Sequence, residues 1–526
     1  MARALLLILL VSNLLGQEIK AIKCGFTHRP PAKISAKTIV GRGFDYLEES
    51  VLSPSEHFRI HFTRSDIHAV VGASTVGTPD FILEAGIAAD SIYTVLVSEL
   101  GFQPPIPDNG VDGSELDIYI VDMKTNHGNY YGLTTFDQNY STPYTGVSTY
   151  LEVDNSYDES FYSTSGLEAL RVTIAHEFFH MVQLRYSHPF QPYASNAYWY
   201  EISSTWVEEK CYPDIDDYHA YTNYNLNQVI FPNLDDGSFS YTYSYGHALF
   251  GQVLDTEYGT QAGKHIMLDI WENLDAREAT ANLEQVLNSS PWYSSLADAL
   301  GKYALYNVFT GSRAIEGSYY ADAPELSEIR TSENILPQSF LMPFTFMLEP
   351  MQTSYEKFSI QSPSDIFVRG DNLGQDQRAY LTYFSSEDGA SLKSALGDPW
   401  VPCYETDILD YLVIPMVNGD RDASINFDLE FGSSLEYKNA IQIIWPNPIL
   451  LASDQLKLNL MLSTAGTIKL KVYNILGQII HEQSQHSPEG IHTIELTLPY
   501  AIQSGIYFVQ LIAGQSTHSR KVTILK

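Results

Sequence analysis

Cysteine is scarce in this chain of 526 residues: only Cys24, Cys211 and Cys403 occur. Three thiols allow one disulfide and leave one over, which excludes a disulfide scaffold, and the absence of any CxxC pair excludes a thiolate zinc knuckle. Any metal is therefore expected to be held by histidine and carboxylate. Positive charge is also short, with 30 Lys and Arg against 63 Asp and Glu, for a formal net charge of -33. Such a surface repels nucleic-acid phosphates and anionic membranes, so no nucleic-acid partner is expected, while calcium or a cationic substrate would be attracted. The one long apolar run is N-terminal, where Arg3 precedes Ala4 to Leu10 and a looser stretch to Leu15. It is too short to span a bilayer, and Gly16 before Gln17 suits cleavage. Residues 1–16 thus read as a signal peptide, with no transmembrane segment expected later.

What remains is globular material: 44% hydrophobic residues, 36 tyrosines and 24 phenylalanines argue against a long disordered tract. The length calls for several domains. After an N-terminal segment at 17–50, HFRIHFT (57–63), LDIYIVD (116–122) and VSTYLEVD (147–154) read as strands of a mixed sheet. Thr78 and Pro79 open an intervening helix. From Ser165 the pattern is strongly helical: Ser165 and Glu168 predict a capping box, and Leu167, Leu170, Ile174, Phe178 and Met181 share one face. A second helix is predicted from about Tyr198 to Cys211, with others at 246–257, 263–274 and 292–310. Beyond about Pro337 the periods shorten to those of strands. The fold class expected is therefore multidomain: an α+β domain at 51–335 followed by two small Ig-like β-sandwiches at 336–436 and 437–526.

Within the helix opened by Ser165 stands HEFFH, residues 176–180. A spacing of four puts His176 and His180 on one helix face, where both imidazoles can reach one zinc ion while Glu177 projects beside it toward a water. The apolar residues on the other side make this a core helix, on which unpartnered imidazoles would be costly. The metal is expected to be Zn2+, and Glu177 the general base.

About twenty residues on, YWYEISSTWVEE (198–209) supplies Glu201 on a second helix. This order resembles the gluzincins, a zincin-like group whose third zinc ligand is a Glu on the next active-site helix, and the resemblance implies that role for Glu201. Metzincins would need Gly and His where Gln183 and Tyr186 stand. Glu201, Thr205 and Glu208 share a helix face, so Glu208 or Thr205 could fix a ligand histidine from outside the metal shell. In SYTYSYGHALFGQVL (240–254), resemblance to gluzincins of the aminopeptidase type implies Tyr243 as donor to a developing oxyanion, with Tyr245 and His247 as alternatives.

HFRIHFT, ELGFQPP (99–105), LDIYIVDM (116–123), YGLTTFD (131–137), TIAHEFFHMVQL (173–184) and the W-x-E around Glu201 together resemble a family of secreted bacterial metalloproteases known chiefly from genomes, over about residues 45–320. Ile202, Ser203 and Ser204 depart from the Gly and Ala that follow the ligand Glu in those relatives, which bears on cleft shape rather than on metal binding. The last unit, through PNP (446–448), LKVYNILGQII (470–480), SGIYFVQL (504–511) and the basic Arg520 and Lys521, is similar to the C-terminal sorting domain of type IX secretion. These resemblances imply a secreted or cell-surface zinc peptidase that takes a protein or peptide substrate and engages the secretion machinery. The rival expectations are a surface-binding protein that keeps the scaffold without turnover, and a zinc hydrolase of non-peptide substrates.

Acidic turns at 107–115 and 418–424 offer oxygen ligands but lack EF-hand spacing, so calcium is not assigned to them. His57, His61 and His127 have no partner at ligand spacing. Cys24 in IKCGFTHRPP leaves three possibilities open. Its thiolate could take the fourth zinc position and keep the enzyme latent, it could pair with Cys211, or it could be a plain buried thiol.

Overall fold

In a computed structural model the described residues are 22–24, 43–107, 113–136, 148–186, 196–235, 241–274, 278–335, 343–359, 366–371, 373–385, 389–397, 401–402, 410–433, 439–445, 447, 449–450, 456–462, 464–488, 490–499 and 502–525. The expected signal peptide, Cys403, residues 108–112 of the first acidic turn and both prolines of PNP lie outside them. The chain divides into two compact units, one up to Arg330 and one from Thr331, with the short stretches Met351–Ser354 and Gly419–Arg421 grouped with the first.

The first unit is built on a six-stranded mixed sheet. Its strands are β1 (Ile22–Cys24), β2 (Glu49–Leu52), β3 (Phe58–Phe62), β4 (Leu116–Val121), β5 (Tyr130–Phe136) and β6 (Thr149–Asp154), in the order β1-β5-β6-β4-β3-β2. The predicted strands LDIYIV and TYLEVD sit at the centre. Every residue of β4 is buried, as a near-continuous apolar run between two neighbours requires, and its one charge, Asp117, bonds His61 Nε2 at 2.8 Å. β3, β4 and β6 run parallel, β5 is antiparallel to β6, and β1 lies parallel on the outer edge of β5.

Helix α1 (Asp80–Tyr93) continues as a π-helical stretch to Glu99. By length and composition alone Asp80–Glu99 could cross a membrane. Here Phe81, Ile82, Ala85, Ala88 and Ile92 are buried as it packs on β3 and on the next long helix, a core helix of the unit. That next helix, α2 (Gly166–Gln183), carries HEFFH, and every residue from Ala169 to Gln183 is buried except Arg171. It packs on β5 and β6, on α1 and on α3 (Ala197–Cys211). Two details differ from expectation. Leu167 is 39% exposed, because it precedes the turn that enters the core. Ser165 occupies the N-cap but makes no side-chain bond; the helix start is set instead by the backbone, with Gly166 at φ +59 and its N–H donating to the Tyr157 carbonyl.

The helical pattern continues with α4 (His219–Leu226), α5 (Tyr241–Gly246), α6 (Ala248–Glu257), α7 (Ile266–Asn273), α8 (Ala279–Asn288) and α9 (Leu296–Val308). The second unit holds two β-sandwich-like cores. In the first, a four-stranded and a five-stranded sheet bury Phe358, Val368, Leu381, Leu412 and Phe427. In the other, a three-stranded and a five-stranded sheet enclose Leu458, Leu470, Val509 and Val522. Asn418, in the second acidic turn, uses its amide to hold the carbonyls of Leu348, Glu349 and Ala423.

α3 and α6 approach closely at Gly251, where an added Cβ would lie 2.8 Å from Trp206 Cβ and 3.1 Å from its Cγ. Overpacking a closed core costs about 1–3 kcal/mol, against a gain in helix propensity of at most ~1 kcal/mol for Gly to Ala. Gly251→Ala is therefore expected to lower the unfolding temperature of the first unit. An unchanged or higher value in a thermal melt would contradict the close approach.

Candidate functional site

α2 presents His176 and His180 one turn apart, with ring centroids separated by 4.8 Å. α3 packs beside it and directs Glu201 at both: Oε2 lies 3.1 Å from His176 Nε2 and 3.5 Å from His180 Nε2. None of the three side chains is more than 2% exposed. Burial disfavours charge on His176, yet the hydrogen-bonded carboxylates of Glu201 and Glu208 outweigh it and push its pKa up to about 9. Burial would raise Glu201, but His180 and His176 reverse that and hold it well below the carboxylate range. The environment thus favours positive charge at the point where the Nε2 atoms converge.

The outer nitrogens are held from behind. His176 Nδ1 bonds Glu208 Oε1 at 2.7 Å, so of the two candidates on α3 it is Glu208 that fixes the ring. Thr205 is buried, but its short hydroxyl makes no hydrogen bond. His180 Nδ1 bonds Gln183 Oε1 at 2.8 Å and the Ser204 hydroxyl at 3.2 Å. Gln183 in turn donates to the Tyr200 carbonyl, Ser203 and Ser204. Sequence reasoning missed these supports. The signal for Gln183 was its i+3 position after His180 on one helix face, and Ser203 and Ser204 are the residues noted only as a departure from relatives.

Glu177 lies under β5. The Thr134 hydroxyl is 2.7 Å from its Oε2, and its Oε1 is buried without a hydrogen-bond partner. Burial pushes the Glu177 carboxyl up, with the two histidines and Thr134 partly offsetting it. The approach of helix to strand depends on Gly132, where an added Cβ would lie 2.6 Å from Thr173 Cγ2 and 2.9 Å from Glu177 Cγ.

The N-terminal strand completes the cluster. Cys24 stands opposite Gly132 on the edge of β5, with Sγ 3.3 Å from Glu177 Oε2. One ligand atom from each of Cys24, His176, His180 and Glu201 lies within 4.8 Å of the others. A disulfide to Cys211 is not formed; both carry thiols. Cys211 lies ten residues beyond Glu201 on α3, about 15 Å along the helix, outside disulfide reach, and burial pushes its thiol up to about 12. Lys23 is buried as well, and its ammonium pairs with Glu208 Oε2 and Asp217 Oδ2. Neither Lys23 nor Asp217 carried a sequence signal.

Of the three oxyanion candidates, the structure brings Tyr245 to the cluster. Its hydroxyl accepts from the Cys24 N–H at 3.3 Å and lies 3.4 Å from the Cys24 carbonyl oxygen, and its ring centroid is 5.9 Å from that of His176. Tyr243, two residues earlier on α5 and so about 200° around the helix, places its ring against Tyr224. His247 bonds Tyr303 and the Asn233 carbonyl, and burial pushes its pKa down to about 3, which keeps it neutral.

Two imidazoles with their outer nitrogens already engaged, a carboxylate and a thiol form a donor set suited to tetrahedral Zn2+. Glu201→Ala is expected to abolish high-affinity zinc binding. Glu208→Ala and Gln183→Ala should weaken it by about 10–100-fold, read by competition with a chromophoric chelator. Full zinc content in Glu201→Ala would place the third ligand elsewhere.

Comparison with known proteins informs the other end of the chain. Residues 443–525 match the family described as the Secretion system C-terminal sorting domain. These residues are thus a type IX secretion sorting domain, and the protein is exported to the medium or the cell surface. No curated protein matches the chain. Solved structures similar to parts of it include the trimeric ectodomain of the C. elegans fusion protein EFF-1, at 16% identity, 27% of this chain, 29% of that one and a TM-score of 0.14. A glycosyl hydrolase family 2 member from Bacteroides cellulosilyticus follows at 10% identity, 33% and 28% coverage and 0.15. A β-glucuronidase from Parabacteroides merdae has 10% identity, 33% and 27% coverage and 0.17. The chain spans less than a third of each of these, and at such TM-scores the likenesses carry no argument.

Proposed function

We propose that the first unit is a zinc-dependent peptidase that cleaves an extended peptide laid along β5. The observation that carries this reading is the convergence of His176, His180 and Glu201 beside Glu177, under β5, the strand next to the edge of the sheet. His176, His180 and Glu201 would hold the metal. Bound zinc supplies Lewis acidity, lowering the pKa of water and polarising a carbonyl.

The remaining work falls to the protein's own groups. β5 offers its outer edge to a peptide backbone, the pairing that β1 now makes. Glu177, held by Thr134 and desolvated under the strand, takes the proton of the attacking water and returns it to the leaving amine. Glu208 and Gln183 keep the Nδ1 protons of the two imidazoles in place, which leaves each Nε2 as a lone-pair donor. The hydroxyl of Tyr245, already beside a backbone carbonyl, donates to the oxygen on which charge develops.

Glu177→Gln, made in a Cys24→Ser background so that the thiol does not compete, should keep its zinc and lose about 10²–10⁴-fold in peptide hydrolysis. Undiminished turnover in a peptide-library digest would refute the mechanism. Hydrolysis of only non-peptide esters or amides would shift the substrate class.

The sorting domain has its own apolar core, so removing residues 438–526 is expected to leave the purified enzyme active but retained in the producing cell. Normal export of the truncated chain would contradict a sorting role.

A further inference from the structure

We infer that β1 is an internal occupant of the substrate groove, and that the acidic pocket it fills with Lys23 is the binding site for a basic side chain of the substrate. The inference rests on the peptidase reading and names its substrate class and its control.

β1 is held at three places. Its backbone pairs with the outer edge of β5, in the register Ile22 to Tyr130 and Cys24 to Gly132. Lys23 enters a pocket floored by Glu208 and Asp217. The Tyr221 ring lies 5.3 Å from the ammonium, and the Tyr131 hydroxyl bonds the other oxygen of Asp217 at 3.2 Å. Glu208 is 1% exposed and Asp217 3%, so without a cation two buried carboxylates would face each other beside the metal site. Uncompensated buried charge of this kind is strongly unfavourable. Whatever replaces β1 in the groove is therefore selected for an ammonium or guanidinium at this position.

At the third place Cys24 takes the fourth position of the donor set. Its sulfur lies 3.3 Å from Glu177 Oε2 and would supply the fourth ligand to a bound zinc ion. There it would fill the position an attacking water needs while it stands against Glu177. Tyr245 is meanwhile bound to the Cys24 backbone on both its N–H and its carbonyl. The Cys24 sulfur would thus take the place of the attacking water, so β1 occupies the groove without being cleaved. Latency ends when the strand is removed by proteolysis or when the thiol is modified.

The test uses the full-length chain, its Cys24→Ser and Asp217→Asn variants, and the pentapeptide Ala-Ile-Lys-Cys-Gly of residues 21–25. In zinc-loaded wild type, Cys24 should resist a disulfide reagent that labels it readily after metal removal. Cobalt substitution should give a thiolate charge-transfer band in the near ultraviolet that is absent from Cys24→Ser. Equal labelling with and without metal, with no such band, would overturn the latch. Cys24→Ser should hydrolyse peptides at least tenfold faster than wild type and prefer Lys or Arg at one subsite. Adding Asp217→Asn should reduce that preference by at least about tenfold. The pentapeptide should inhibit Cys24→Ser, and its Lys→Ala analogue should be at least about tenfold weaker. Indifference to the basic residue in both measurements would overturn the pocket. Failure of every variant to bind zinc would refute the peptidase reading itself, and with it this inference, and is separable because the cobalt and labelling measurements need no turnover.

Discussion

The first unit depends on the burial of two imidazoles on a helix that has almost no solvent face. α2 is buried from Ala169 to Gln183 but for Arg171, so His176, Glu177, His180 and Gln183 cannot be satisfied by water. Each unsatisfied polar group of this kind costs on the order of 1–3 kcal/mol. The surrounding structure answers that demand group by group: Glu208 on α3 for His176, Gln183 and Ser204 for His180, Thr134 on β5 for Glu177. The inner nitrogens are the ones left facing Glu201, which is why the cluster points to a cation at its centre.

That demand also explains the position of the site at the sheet edge. α2 crosses β5 and β6, and the missing side chain at Gly132 lets Glu177 lie directly under β5. On the peptidase reading, the outer edge of β5 is where an extended backbone reaches both Glu177 and the cluster of His176, His180 and Glu201. β1 occupies that edge in the intact chain, a covered edge also being one protected from pairing with other molecules.

Much of this was legible in local sequence. The buried strands, α2, α3 and the HEFFH face follow from periodicity, and the C-terminal β-sandwich from its strand and turn pattern, while its sorting role comes from family resemblance. The points where the structure departs from these expectations share a cause. The structure brings Tyr245 rather than Tyr243 to the cluster, because a motif gives a residue's order along the chain but not its rotation about a six-residue helix. Thr205 and Glu208 lie on one face, yet only the longer side chain reaches His176, a matter of interhelical distance. Lys23 meets Asp217 across 194 residues and Cys24 meets Glu177 across 153, which no local pattern encodes. The alternative disulfide of Cys24 failed for the same reason, since adjacency in sequence to the end of α3 says nothing of the length of that helix in space.

Glu208 ties the parts together. One of its oxygens fixes His176 and the other takes the ammonium of Lys23. A cation in the pocket therefore draws on the same carboxylate that sets the basicity of a metal-ligand candidate. Removing Glu208 would disturb both at once and could not apportion the effect between them. Asp217 bonds Lys23, Tyr131 and Thr164 and neither imidazole, and so separates recognition of the basic side chain from orientation of the imidazole. The two carboxylates are for this reason not equivalent, although Lys23 pairs with both: the one on α3 also holds His176, and the one that precedes α4 also bonds Tyr131.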